Sequence, residues 1–143
     1  MDIINEVLFD RIRLSLYSYR NIRGLAYPYG RHNGETENII KRCGIKYGRV
    51  TECDETFAIQ NDFYCWKPTV YHIDDKLMSL SREFIDCEDE GIIFHVWGHS
   101  CELYENNRWN IMEDWLKYIY EYKNQIWFAT NIEIYEYVKQ HRG

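Results

Sequence analysis

The stretch Gly91-Ile92-Ile93-Phe94-His95-Val96-Trp97 constrains this chain more than any other. It is almost continuously apolar, where a strand with one wet face would alternate. That is the pattern of a strand covered on both faces, and such strands belong to parallel sheets flanked by helices. Gln125-Ile126-Trp127-Phe128-Ala129 has the same character. Shorter runs at 23–27, 45–50 and 64–70 read as further strands, the first ended by Pro28 and Gly30.

Helical patterns fall between these runs. Ile4, Val7, Leu8, Ile12 and Leu16 lie at helical spacing in residues 3–17. Residues 35–43 read as a short helix closed by Gly44. Asp74 is placed to cap a helix over 75–86, and Asn107 one carrying Trp109, Met112, Leu116 and Ile119 on a single face. Glu113 and Lys117 form a favourable i,i+4 pair on that helix. Thr130-Asn131 opens a last helix with Glu133 and Glu136 early and Lys139 and Arg142 late, an order that suits the helix dipole. Strands alternating with helices predict an α/β fold of parallel βα units, about four to five strands in a barrel-like sheet. At 143 residues the prior is a single domain, 1–143, with a substantial core.

Charge and cysteine usage narrow the partners. The chain carries 17 basic against 23 acidic residues, a net charge of −6, so no basic field exists for nucleic acid. No apolar run reaches 18 residues, which excludes a membrane-spanning helix from the expectation. Met1-Asp2-Ile3-Ile4-Asn5-Glu6 lacks the basic-then-apolar layout of a signal peptide. The five cysteines, Cys43, Cys53, Cys65, Cys87 and Cys101, are scattered without a Cys-x-x-Cys pair. They read as reduced thiols of a cytoplasmic protein and give no support to a zinc site.

Ligand sites in parallel βα folds sit at the C-terminal ends of strands. Three polar, aromatic-rich segments fall there: Ala26-Tyr27-Pro28-Tyr29-Gly30, Trp97-Gly98-His99-Ser100 and Ala129-Thr130-Asn131. They are expected to line one pocket. His95 and His99 have metal-ligand spacing only on a helix; on a strand they stand about 13 Å apart and cannot share an ion. His99 reads either as a hydrogen-bonded loop histidine or as a general acid or base. The Tyr27–Gly30 turn is either aromatic loop closure or a source of backbone oxyanion donors at Tyr29 or Gly30. Trp66 and Trp97 read either as core rings or as faces on which sugars stack. Aromatic residues make up 17% of the chain, enough for both roles. Trp66-Lys67-Pro68-Thr69, with His72 and Asp74 after it, forms a further polar–aromatic cluster.

At these segments the sequence resembles the polysaccharide deacetylase family of the NodB-homology fold. Trp97-Gly98-His99-Ser100-Cys101-Glu102-Leu103 is similar to a late-strand motif Trp-Gly-His-Ser-Tyr-Glu-Phe in one branch of it. Residues 26–30 repeat that branch's Ala-Tyr-Pro-Tyr-Gly unchanged. Gly44-Ile45-Lys46-Tyr47-Gly48-Arg49, Trp66-Lys67-Pro68-Thr69 with His72, and residues 126–134 match three further motifs in the same order. The resemblance runs from about Phe9 to Tyr137.

It implies a distorted (β/α) barrel that removes acetyl groups from a polysaccharide or oligosaccharide by hydrolysis assisted by a divalent metal, zinc or similar. His99 falls on or near the family's general-acid histidine, and His95 also lies in that motif's neighbourhood. Tyr29 falls on the tyrosine whose backbone amide binds the oxyanion. Tyr27, Trp66, His72, Trp97 and Asn131 are the implied carbohydrate contacts. Ala26 stands where many members have an arginine. The family's Thr-Phe-Asp-Asp-Gly and His-Ser/Thr-x-x-His motifs, which supply the base and the metal ligands, have no counterpart here. The match is therefore to the C-terminal half of the domain, with no metal expected on this chain alone. Three readings stay open: a hydrolase completed by a separate N-terminal half, a non-catalytic glycan binder, and a structural half-barrel that forms a homodimer through its sheet edges.

Overall fold

The computed structural model describes residues 2–141. Its elements run α1 (Ile3–Ser18), β1 (Gly24–Ala26), a 3-10 turn (Pro28–Gly30), α2 (Gly34–Arg42), β2 (Tyr47–Arg49), a second 3-10 turn (Phe63–Cys65), β3 (Val70–Tyr71), α3 (Leu77–Asp86), β4 (Val96–Trp97), α4 (Ser100–Glu105), α5 (Trp109–Glu121) and α6 (Asn131–His141). The class is α/β, as expected. The strands are parallel but short, and they lie in two two-stranded sheets, β1 with β2 and β3 with β4; no barrel closes among the described residues. The backbone gathers into two compact units: Met1–Val50 with Asn61–Trp66 and Ala129–Gly143, and Thr51–Gln60 with Lys67–Phe128.

In the first unit Gly24, Leu25 and Ala26 pair with Tyr47, Gly48 and Arg49. Trp66 extends this ladder by one bridge to Arg49, with its N–H on Gly48 O and its carbonyl on Val50 N–H. Tyr27, Ile40, Ile45 and Val50 form the core, with Val7, Leu25, Tyr64 and Cys65 packed on it. Helix α2 starts where the sequence predicts because Asn33 and Thr36 cap each other's backbone N–H groups. It stops at Cys43, and the next residue, Gly44, has φ +78°, a conformation that favours glycine. The Arg11 guanidinium fastens α1 by donating to the carbonyls of Ile22 (2.8 Å) and Cys43 (2.6 Å). Ile12 and Leu16 of α1 are nevertheless exposed, so only part of its apolar spacing reports burial. At α6, Glu133 accepts from the N–H and hydroxyl of Thr130, and Glu136 pairs with Arg23. Arg142, read as part of that helix's basic end, lies outside the described residues.

In the second unit Val70 and Tyr71 pair with Val96 and Trp97. Val70, Leu77 and Leu80 form the core, joined by Phe57, Phe94, Val96, Met112 and Trp115. Leu77, Leu80, Ser81 and Phe84 recur at helical spacing on α3, which sets its inward stripe. Asp74 does not cap α3 directly. Its carboxylate accepts the N–H of Lys76 (2.8 Å), closing the turn just before the helix.

The expected strand at 64–70 is instead the Phe63–Cys65 3-10 turn, a single bridge at Trp66 and β3 only from Val70, and four further expectations differ. Only Val96–Trp97 of the 91–97 run is strand: the N–H of Ile93 goes to Phe57 O and that of His95 to the Thr69 hydroxyl, so a side chain stands where a ladder bond would be. Residues 125–129 form no strand, and Trp127 and Phe128 are exposed; their apolar run does not report pairing. Asn107 is not the cap of α5. It sits at φ +52° between that helix and the unforeseen α4, and Arg108 takes the cap position. Finally, α5 is rotated from the expected face. Met112, Trp115 and Ile119 turn inward because the Trp115 indole N–H donates to Ser81 Oγ (2.8 Å), which leaves Trp109 and Leu116 exposed. The Glu113–Lys117 pair forms at 2.8 Å, with both side chains exposed.

Candidate functional site

The second unit brings the chemistry-bearing residues of two separate motifs together. Strand β3 ends at Tyr71 and β4 at Trp97, and the register sets these two residues opposite each other. Just beyond, the N–H of His72 donates to Trp97 O (2.8 Å). The chain then passes through Gly98 and His99 into α4, which carries Glu102 back over His72. The His72 Nε2 to Glu102 Oε2 distance is 3.1 Å, and the same oxygen accepts the backbone N–H of His99 at 3.0 Å. Glu102 thus fixes the start of α4 and the imidazole at once.

Gly98 is what admits the imidazole. Its φ is not in the left-handed region, so backbone freedom is not the reason for glycine here. A Cβ at Gly98 would stand 2.0 Å from the His72 ring. His72 is accordingly buried, at 7% exposure. Tyr71 and Trp97 lie ring to ring at 4.8 Å, and Trp97 meets the His99 ring edge-on at 5.7 Å. The Trp97 indole N–H is directed at Cys53 Sγ, 3.3 Å away. Trp97 remains half-buried and His99 exposed. His95, in the same motif's neighbourhood, is buried, and its carbonyl takes the N–H groups of Thr69 and Val70.

The electrostatics arise from this packing. The Tyr71 hydroxyl, then the His99 N–H and the His72 ring, hold the Glu102 carboxyl below the usual carboxylate range against an opposing effect of burial. Burial first, and the neighbouring Glu102 second, push the Tyr71 phenol up to about 12. A depressed carboxylate pKa stabilises the folded state above the unfolded value of about 4.3, and that contribution is lost as pH falls through the lower folded value. The urea midpoint of the wild type should therefore fall more steeply below about pH 4.3 than that of Glu102→Gln. Parallel acid limbs for the two proteins would show that Glu102 is not held in this way.

The remaining expected residues, Tyr27, Tyr29, Trp66 and Asn131, belong to the first unit. Tyr27 is buried at 5% exposure, its ring stacked on His32 at 5.1 Å and seated against Gly48, where a Cβ would come within 2.5 Å of it. Among the described residues its hydroxyl has no hydrogen-bond partner, and burial drives its pKa well above the ordinary phenol range, with Glu37 adding to the shift. Tyr29 is 89% exposed at φ +56°. The Gly30 N–H, expected as an oxyanion donor, closes the turn onto Tyr27 O at 2.9 Å and is engaged there. Trp66 is buried, with edge contacts to Phe63 and Tyr47, so it presents a core ring and not an open face. Asn131 is the first residue of α6, half-buried, and no strand precedes it.

Two participants escaped the sequence reading. Glu102 lies inside the Trp-Gly-His-Ser-x-Glu stretch but carries no signal of its pairing with a histidine 30 positions earlier. Tyr71 becomes visible only through the β3–β4 register. Among the described residues no three of His, Cys, Asp and Glu gather so as to hold a metal ion, and no helix is long and apolar enough to cross a membrane. In comparisons with known proteins, no family model, no curated protein and no solved structure matches this chain.

Proposed function

We propose that this chain is a polysaccharide-deacetylase-like protein of the cytoplasm, built as part of a (β/α) barrel, that binds acetylated carbohydrate. The His72–Glu102 contact carries the reading. It joins the histidine after Trp66-Lys67-Pro68-Thr69 to the Trp97-Gly98-His99-Ser100-Cys101-Glu102 stretch, two of the five motifs on which the resemblance rests. The half-buried Trp97 ring beside the exposed His99 supports a sugar-stacking face.

The donor set does not fit the family's divalent ion. His72 and Glu102 are engaged with each other, and no third ligand joins them among the described residues. No step is therefore routed through a metal. On this reading the base and metal ligands belong to a separate polypeptide carrying Asp-Asp-Gly and His-Ser/Thr-x-x-His, and this chain alone binds without hydrolysing. The same donor set favours the second reading, a glycan-binding protein with no hydrolytic partner.

Titration calorimetry with chitin oligosaccharides tests the proposal. Binding heat is expected, with affinity falling about tenfold or more, some 1.4 kcal/mol, in a folded Trp97→Ala variant. Absence of heat at millimolar oligosaccharide overturns carbohydrate binding. Acetate released only after the complementary polypeptide is added separates the first reading from the second.

A further inference from the structure

We infer that α1 pairs antiparallel with the same helix of a second copy of this chain, through an apolar seam of Phe9, Ile12, Leu16 and Tyr19. This surface lies in the first unit and stands apart from the carbohydrate reading of the second. It is a helix face, not a sheet edge.

One side of α1 is already engaged. Val7 packs on the core of the first unit, and the Ile4 carbonyl faces the Cys43 thiol. Arg11 donates to the carbonyls of Ile22 and Cys43, and Ser15 Oγ accepts the N–H of Ile22 at 3.2 Å. Positions 4, 7, 11 and 15 form one helical stripe. Phe9, Ile12 and Leu16, with Tyr19 at the C-cap, form another. Their 3-4-3 spacing is that of the contact positions in packed helix pairs. Their exposure runs from 53% at Ile12 to 96% at Tyr19, so this stripe is not part of the core. Leu14 and Tyr17 are exposed as well, but they lie on a different flank, which the charge of Asp10 interrupts.

Charge selects the occupant. Glu6 and Arg13 border the seam on one flank, seven residues apart, outside the i,i+3 and i,i+4 spacings at which side chains of one helix meet. Among the described residues neither has an ion-pair partner. A second α1 turned antiparallel about a two-fold axis sets Phe9 against the partner's Ile12. The same register sets Glu6 beside the partner's Arg13, and symmetry forms that pair twice. A parallel arrangement places Arg13 beside the partner's Leu8 and satisfies neither charge. Opposed helix dipoles favour the antiparallel orientation too. The area is sufficient. Two aromatics, Ile12 and Leu16 remove on the order of 500 Å² per copy and about 1,000 Å² in all, the size at which a specific interface begins.

Sedimentation equilibrium of the full chain tests this. The mass should rise from 17.5 kDa towards twice that value as concentration climbs through the micromolar range. Ile12→Lys alters an exposed position, so the protein should stay folded by circular dichroism while its dimer weakens about thirtyfold or more. Glu6→Arg should weaken the dimer about tenfold by setting two cations together, and adding Arg13→Glu should restore it. A wild-type protein that stays monomeric up to millimolar concentration overturns the proposal and leaves the seam to a different polypeptide. A dimer unaffected by Ile12→Lys in a folded protein lies on another surface and overturns it as well. A dimer lost with Glu6→Arg and not regained in the double variant rejects the antiparallel register.

Discussion

Gly98→Ala should destabilise the protein by about 3 kcal/mol, at the upper end of what overpacking a well-filled site costs, and should detach His72 from Glu102. The added methyl would lie 2.0 Å from the imidazole Cδ2 and 2.4 Å from Nε2, far inside van der Waals contact. The ring has little room to retreat. It is buried, its backbone is tied to Trp97 O, and Tyr71 packs beside it. Relief requires the ring to leave its slot or the Trp97–His99 segment to move, and either route breaks the 3.1 Å contact with Glu102. Glu102 would then lose one of the groups that keep it ionised, and the start of α4 would loosen with it. Chemical denaturation measures the stability loss, and the His72 ring resonances report its displacement. A Gly98→Ala protein with wild-type stability and an unshifted His72 would show that the segment has slack which this packing denies.

Local signals were legible in the sequence wherever one segment decides its own structure. The helix expected over 35–43 forms as Gly34–Arg42, and Gly44 marks its end, with no help from distant residues. The 3-10 turn at Pro28–Gly30 and the α6 start after Thr130 belong to the same class. Apolar runs told less, because burial and strand pairing are different events. Residues 91–95 are partly or wholly buried from Ile92 on, yet their backbone bonds go to Phe57 O and the Thr69 hydroxyl, partners that only the folded chain identifies. At α5 the spacing pointed to a face holding Trp109 and Leu116, and the Trp115–Ser81 hydrogen bond turns Met112, Trp115 and Ile119 inward instead. The candidate site divides in the same way. Trp97, His99 and His72 stand out by residue type and by position near strand ends. Glu102 and Tyr71 matter only through contacts across 30 residues of chain and across a two-residue ladder, which no local pattern encodes.

Trp66→Ala should cost about 3–5 kcal/mol, the range for truncating a buried aromatic, and should lower the thermal midpoint by about 6–20 °C in a chain of this size. Trp66 is 3% exposed and closes the first unit's core from the edge of the β1–β2 sheet, with Phe63 at 5.0 Å and Tyr47 at 5.5 Å, both in edge geometry. Phe63 in turn packs on Tyr135 of α6, so the indole is the first member of a short aromatic chain from strand to helix. The backbone bonds of Trp66 to Gly48 and Val50 survive the substitution, which assigns the loss to the side chain. Trp97 offers the control. It is half-buried and reaches Tyr71 and Cys53 without sealing a core, so Trp97→Ala should cost clearly less stability while lowering affinity for chitin oligosaccharides. The two tryptophans, equivalent by sequence as sugar platforms, should thus separate: Trp66 by melting temperature, Trp97 by binding. If Trp66→Ala kept the wild-type melting temperature and lost oligosaccharide binding instead, Trp66 would be an exposed platform in solution, and the core of the first unit would need redrawing around Tyr27, Ile40, Ile45 and Val50 alone.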